Sequence, residues 1–388
     1  VRWPVVHFPV AKADKEDGVI DVTAALSSFI EVMNKLAPPF MALDGDNIGL
    51  QTPCAPTIDK VLFTLDVNIK VVREAKRRGA GLIAAHHPVI YRKLDRIEAR
   101  GVVGRVIVSA IRDEIGIFVA HTNLDCAPGG VNDILAHRLE LQNVRALKSS
   151  RTEKSYKVVV FVPEAHVDKV RAAMAEAGGG VIGEYRYCSF QTPGTGTFLP
   201  SEKASPFAGK VGQVNKEPEL RLEMLVPQAV LGDAVAAMKI AHPYEEVAYD
   251  VYELANPARE FGLGRVGELP ERVHFKDYVE LVRRRLGVKR VRVCGNAQAR
   301  IRTVAACGGS GGDLLEDVLA VKADAYITGE LKYHQMLAAD AQGLCVVEAG
   351  HGATERIALP VLADNVKRHL PGIETLMSRI KTDRSDWV

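Results

Sequence analysis

The chain has little of what would place it outside ordinary globular proteins. Cysteine is sparse. Cys54, Cys126, Cys188, Cys294, Cys307 and Cys345 are scattered over 388 residues, and no two are spaced C-x-x-C. A disulfide framework is therefore not expected; reduced, packed thiols and a cytoplasmic location fit better. No run of about 18 uninterrupted apolar residues occurs, so no helix is expected to span a membrane. An excess of one charge is missing too. Fifty Lys plus Arg against 48 Asp plus Glu leave a net +2, too balanced to suggest nucleic acid as a partner. No signal peptide is read in residues 1–20, where Pro4, Pro9 and the run Lys12 to Asp17 interrupt the apolar pieces. What remains is 47% hydrophobic and 25% charged, the composition of a folded protein of two or three domains.

Short apolar runs alternate with helical patterns. A helix capped by Asp21 or Thr23 runs to Leu36, where Pro38 and Pro39 stop it. Strands are expected at Val61–Leu65, Leu82–Ala85 and Ile117–Ala120, separated by helices at Ile69–Arg78 and Val102–Glu114. Strands that are apolar throughout, set between helices, predict a sheet covered on both faces. The pattern changes after residue 150. A strand at Tyr156–Val162, a helix at Val167–Ala177 and a strand at Val181–Phe190 lead into a polar, Gly/Pro-rich loop reaching about Glu217. A strand at Leu220–Val226, a helix at Ala229–Ile240 and a strand at Val247–Val251 follow. Two βαβ units joined by a loop predict a ferredoxin-like sandwich. The α/β pattern then resumes and ends in a helix at Ala353–His369, which Pro360 is expected to kink. The expected fold class is α/β: a body in two sequence halves (21–150 and 257–388), a ferredoxin-like α+β domain inserted at 151–256, and an extension at 1–20.

Histidine carries the chemistry. His86 and His87 end an apolar strand and precede Pro88; one packed and one exposed histidine is the plainer alternative. The next strand ends in His121-Thr122-Asn123-Leu124-Asp125, where Asp125 could serve only as a turn cap. The strand at Leu344–Glu348 leads into Gly350-His351-Gly352-Ala353-Thr354-Glu355, which puts His351 and Glu355 on one helical face. Ligand sites of open α/β sheets lie outside the carboxyl ends of their strands. His86, His87, Asp125, His351 and Glu355 are more ligands than one tetrahedral ion needs, and a bridging carboxylate would let them hold two ions about 3.5–4 Å apart. Imidazole and carboxylate suit Zn, Fe, Mn and Co alike.

Six segments taken together resemble one family. They are Asp46-Asn47-Ile48-Gly49-Leu50, Ala85-His86-His87-Pro88, His121 to Asp125, Ile327-Thr328-Gly329-Glu330, Lys332-Tyr333-His334-Gln335 and Gly350 to Glu355. The sequence is similar to the Ngg-one-interacting-factor-three-like family, whose members are often labelled GTP cyclohydrolase I type 2 homologues. The resemblance implies a two-metal site with ligands matching His86, His87, Asp125, His351 and Glu355, and a ring-shaped homohexamer. Gly194-Thr195-Gly196-Thr197-Phe198 and His242-Pro243-Tyr244-Glu245-Glu246 resemble the family form with a PII- or CutA-like insert. Two positions depart from the family: Gly45 and Gly352 stand where aromatic residues are common, and a wider or reshaped pocket is expected.

Three further residues are candidates for proton transfer. Glu330 and His334 are four apart at a helix start, and His121 ends its strand beside the site. Solvated positions are the alternative for the first two. Gly308-Gly309-Ser310-Gly311-Gly312 could hold a phosphate on its amides, but it lacks the Gly-Lys-Ser/Thr of a P-loop and is followed by Asp313. The expected function is metal-dependent hydrolysis of a nucleotide or a phosphorylated small molecule. The alternative is a non-enzymatic metal-handling or regulatory protein.

Overall fold

The computed structural model describes residues 24–183, 185–256 and 259–383. The expected N-terminal extension and the caps Asp21 and Thr23 lie outside the described residues. The first part of the chain forms β1 (Ala24–Ala25), α1 (Leu26–Leu36), β2 (Gly49–Thr52), β3 (Thr57–Ile58), β4 (Lys60–Thr64) and α2 (Ile69–Arg78). It continues through β5 (Leu82–Ala85), α3 (Val102–Arg112), β6 (Gly116–Val119), α4 (Thr122–Cys126), α5 (Val131–Arg138) and β7 (Gln142–Glu153). The middle holds β8 (Ser155–Val162), α6 (Val167–Glu176), β9 (Ser189–Phe198), β10 (Asn215–Pro227), α7 (Leu231–Ala241) and β11 (Tyr249–Glu253). The last part begins with β12 (Arg259–His274), α8 (Phe275–Leu286), β13 (Arg292–Cys294), β14 (Arg300–Ser310), α9 (Leu315–Ala320) and β15 (Ala325–Glu330). It ends with α10 (Tyr333–Ala341), β16 (Cys345–Glu348), α11 (His351–Glu355), α12 (Ala358–His369) and β17 (Glu374–Met377). Two compact units result, one from the described residues of 24–151 and 260–383, the other from those of 152–259.

The first unit contains two mixed sheets. One has the order β17-β4-β5-β6-β2, parallel except for β2, which runs against β6. Every residue of β5 and β6 is buried. Leu62, Ile83 and Ile117 pack with Val71 and Val72 of α2 and Val106 and Ala110 of α3. Helix α2 has clear stop signals at both ends. The Asn68 carboxamide accepts from the amides of Lys70 and Val71, and Gly79 closes the helix in the left-handed conformation. The other sheet has the order β13-β16-β15-β14-β12-β7, with β14, β15 and β16 parallel. Val304, Ile327 and Val347 from its centre pack against Phe275, Tyr278 and Val282 of α8.

In the second unit the antiparallel order β11-β8-β10-β9 buries one face against α6 and α7. Here the strand expected at Val181–Phe190 is displaced. β9 begins at Ser189 and continues through Pro193, Gly194 and Gly196, where a loop was expected. It is an edge strand with β10 as its one neighbour, and edges tolerate proline and glycine. The long strands β7 and β12 had no sequence expectation, because their residues are not continuously apolar. The helix expected at Ala353–His369 is divided rather than kinked. α11 ends at Glu355, and Pro360 lies in the first turn of α12, where an amide has no intrahelical partner to lose. Among the described residues no helix is long and apolar enough to cross a membrane.

Candidate metal centre

Strands β4, β5 and β6 run parallel and end together, and their hydrogen-bond ladder outlasts them. The His86 and His87 amides donate to Thr64 O (3.2 Å) and Leu65 O (2.9 Å), and the Ala120 amide donates to Ala85 O (3.0 Å). Just past the strand the two rings no longer point to opposite faces. Their centroids lie 4.9 Å apart, with the His121 ring 5.3 Å from His86 and 5.7 Å from His87. His86 is buried; His87 keeps about a fifth of its side chain exposed.

The second half of the chain supplies a carboxylate. After β16, Gly350 turns into α11 with φ +93°, a conformation that favours glycine. One helical turn then aligns His351 with Glu355. The Glu355 carboxylate lies among three imidazoles: Oε1 is 3.1 Å from His351 Nε2 and 3.8 Å from His86 Nε2, and Oε2 is 3.0 Å from His87 Nε2. The Nε2 atoms of His87 and His351 are 3.3 Å apart. Asp125 arrives from α4, with Oδ1 3.6 Å from His86 Nε2.

Buried polar contacts hold these parts in register. The Asn132 carboxamide donates to Asp125 O (3.0 Å) and accepts from the Gly308 amide (2.9 Å). The Gly309 amide donates to Thr354 Oγ1 (3.0 Å), fixing α11 against the end of β14. Gly309 has φ +65°, and a Cβ there would lie 2.1 Å from Glu355 Oε1 and 3.2 Å from His351 Nε2. Gly308–Gly312, whose sequence already argued against a phosphate turn, thus has another use. β14 continues through Ser310, and the glycines clear room for the carboxylate.

Each histidine is also engaged through Nδ1. His86 meets Ala120 O (2.8 Å), His87 meets Asp66 (2.8 Å), His121 meets Asp46 (2.8 Å) and His351 meets Glu330 (3.3 Å). An Nδ1–H donated to these oxygens leaves the Nε2 lone pair of His86, His87 and His351 available to a metal ion. Burial disfavours the charged form of His87, but Asp66 and Glu355 outweigh it and raise its pKa to about 10. Burial likewise opposes ionisation of Glu355, yet the imidazoles of His351, His86 and His87 around it hold its carboxyl well below the usual range. Asp125 lacks such donors, and burial pushes its carboxyl up. Asp46 is held at about 2, because hydrogen bonds from His121 and Thr122 exceed the cost of its burial.

The donor set fits a cation. His86 Nε2, Asp125 Oδ1 and Glu355 Oε2 are buried without a hydrogen-bond partner. Buried polar atoms rarely go unsatisfied, and converging imidazole and carboxylate lone pairs are what a divalent ion takes. Two groups have ligand atoms within 4.8 Å of one another: His86, His87 and His121, and His87, His351 and Glu355. His121, singled out for proton transfer, is therefore also within ligating reach. Glu330 lies beside His351, whereas His334 is exposed on α10 and does not line the cavity. Asp66 was missed: its partner His87 is 21 residues away, and nothing in the sequence pattern marks the pair.

A cavity of about 940 Å³ opens onto the cluster, bounded by His87, His121, Asp125, His351, Glu355 and the segment at Thr382 and Asp383. Of the wider or reshaped pocket expected at Gly352, the widening is not found. A Cβ there would meet Asp383 Oδ2 at 2.9 Å and Leu65 at 3.2 Å, so the space is already filled. Gly45 does face open space, with nothing within 4 Å of a Cβ.

Comparison with known proteins agrees with this architecture. A protein of Halalkalibacterium halodurans named GTP cyclohydrolase 1 type 2 homolog is 40% identical over 91% of this chain and 96% of its own length. A Bacillus subtilis protein of the same name is 40% identical over 88% of this chain and 90% of its own. The crystal structure of a Bacillus cereus protein related to NIF3 superposes with a TM-score of 0.86 at 37% identity, covering 94% of this chain and 99% of that one. Residues 24–384 match the Duf34/NIF3 (NGG1p interacting factor 3) description, and the chain belongs to that family.

Proposed function

We propose that this protein is a metal-dependent hydrolase of nucleotide-like substrates, with two divalent ions held by His86, His87, Asp125, His351 and Glu355. The observation that carries the reading is the trio of buried, unpartnered atoms His86 Nε2, Asp125 Oδ1 and Glu355 Oε2. The name of the relatives, GTP cyclohydrolase 1 type 2 homolog, supports the substrate class. When bound by these residues, two such ions would supply a water acidified toward neutrality. The chain's own residues do the rest. His121, oriented by Asp46, accepts and returns a proton on the ring nitrogen not bonded to that carboxylate. Glu330 aligns His351, whereas His334, exposed on α10 outside the cavity lining, takes no part in the step. A 940 Å³ cavity suits a nucleotide-sized ligand.

The reading extends to the rest of the chain. The order β11-β8-β10-β9 with α6 and α7 on one face supports a ferredoxin-like, PII- or CutA-like insert spanning 151–256. A cytoplasmic homohexamer completes the proposal. A second reading, metal storage or delivery, is favoured by the exposure of a third of the His351 side chain to the cavity, which gives an ion a way out.

Elemental analysis of protein purified without added metal is the first test. About two ions per chain are expected for a dinuclear site, with marked loss in His351→Ala, Glu355→Ala. A folded parent that takes up no Zn²⁺, Fe²⁺ or Mn²⁺ would overturn the site. Nucleotide turnover that vanishes in a folded Asp125→Ala variant supports the hydrolase; ready metal exchange without turnover supports the carrier.

A further inference from the structure

The second unit contains a cavity that the metal chemistry does not use. It measures about 790 Å³ and lies at the end of the sheet where β8 and β9 finish and β10 and β11 begin. The β9–β10 connection and the loop between α7 and β11 enclose it, and its surface is mostly apolar. Rings of Phe161, Phe198, Phe207 and Tyr244 line it. The Phe207 and Tyr244 centroids are 5.9 Å apart, and those of Phe207 and His166 are 5.4 Å apart. The floor is bare glycine. A Cβ on Gly194 would have nothing closer than Glu219 O at 4.0 Å, whereas one on Gly196 would strike the Glu219 carboxylate.

Charge selects the occupant. Three carboxylates, Glu219, Glu245 and Glu246, border the cavity against one guanidinium, Arg221. Arg221 is already committed, with Nε 3.0 Å from Glu223 Oε1. The Tyr244 hydroxyl donates to Glu219 Oε1 (2.8 Å) and aligns that carboxylate, and the Ser205 amide does the same for Glu245 (2.8 Å). Aromatic faces attract cations through their quadrupole, and oriented carboxylates at the rim add to the attraction. We infer that this cavity binds a small organic cation with an apolar body, its charged head against Glu219 and Tyr244 and its body on the Phe161, Phe198 and Phe207 rings.

Calorimetry on the full-length, metal-loaded chain with benzyltrimethylammonium tests this. A quaternary ammonium has no lone pair and cannot ligate the metal centre. It is expected to bind about ten-fold more tightly than benzyl alcohol or benzoate, the gain a desolvated cation–π contact provides. Glu219→Gln should erase most of that preference. Gly194→Leu, which fills the floor, and Phe207→Ala, at a residue more than half exposed, should each weaken binding while metal content stays at the parent level. Equal affinity for the cation and benzoate, no binding to the folded parent, or full binding by Gly194→Leu and Phe207→Ala would overturn the inference.

Discussion

The 940 Å³ and 790 Å³ cavities are built on opposite principles. In the first unit, histidines and carboxylates from both sequence halves converge and leave buried lone pairs unsatisfied. In the second, aromatic rings and bare glycine leave apolar surface open, and the rim carboxylates Glu219 and Glu245 already have donors. A buried lone pair demands a charge of opposite sign, whereas an apolar cleft gains from almost any apolar body and needs its rim to discriminate. The first cavity should therefore respond steeply to loss of its ion, and the second hardly at all.

The most severe way to break that contrast is Glu355→Ala. It removes the carboxylate shared by three imidazoles, and elemental analysis should show near-complete loss of bound metal with the 790 Å³ cavity of the second unit unaffected. Chelation of the intact protein comes next. A ligand present at a thousand times its dissociation constant stabilises by about 4 kcal/mol. Amide exchange should therefore accelerate in the first unit on metal removal and remain unchanged in 152–259. Smaller again is Asp66→Ala. It takes the partner from His87 Nδ1 without removing a ligand, and a metal titration should show affinity falling about 10–100-fold. If Asp66→Ala matches Glu355→Ala, the carboxylate is itself a ligand and the assignment changes.

The smallest expected effect is a pH dependence remote from both cavities. Burial opposes ionisation of Glu74, but donation from the Ser378 hydroxyl, the Arg379 amide and Arg78 lowers its pKa. A depressed folded pKa stabilises above the unfolded carboxyl value of about 4.3 and is lost as pH falls through the folded value. Melting temperature followed from pH 7 downward should fall more steeply below about 4.3 in the parent than in Glu74→Gln. Parallel curves would remove Glu74 from the account.

Much of the first unit was legible because its chemistry is local. Continuous apolar runs such as Leu82–Ala85 announce strands covered on both faces, and the helix expected at Ile69–Arg78 has those bounds in α2. His86 and His87 were singled out by position at a strand end. β7 and β9 were not legible, since strands with exposed residues, glycine and proline lack the continuous apolar signal. Nor was the support around the cluster. Asp66 approaches His87 across two parallel strands, and Asn132 joins Asp125 to Gly308 across 176 residues. Gly309 is the instructive case. Its sequence context argued against a phosphate turn without showing its use, which is to leave room for a side chain 46 positions further on.

The contact between His87 and His351 spans 264 residues, and that separation has a consequence for biosynthesis. Closing so long a loop is entropically costly and slow compared with local folding. While the chain is being made, the His86–His87 pair emerges long before Glu355, so the proposed coordination sphere would stay incomplete until Glu355 is in place. Uptake of an ion at that site would then be a late event of maturation. A shortage of metal would leave finished, folded chains awaiting it, rather than chains halted partway through synthesis.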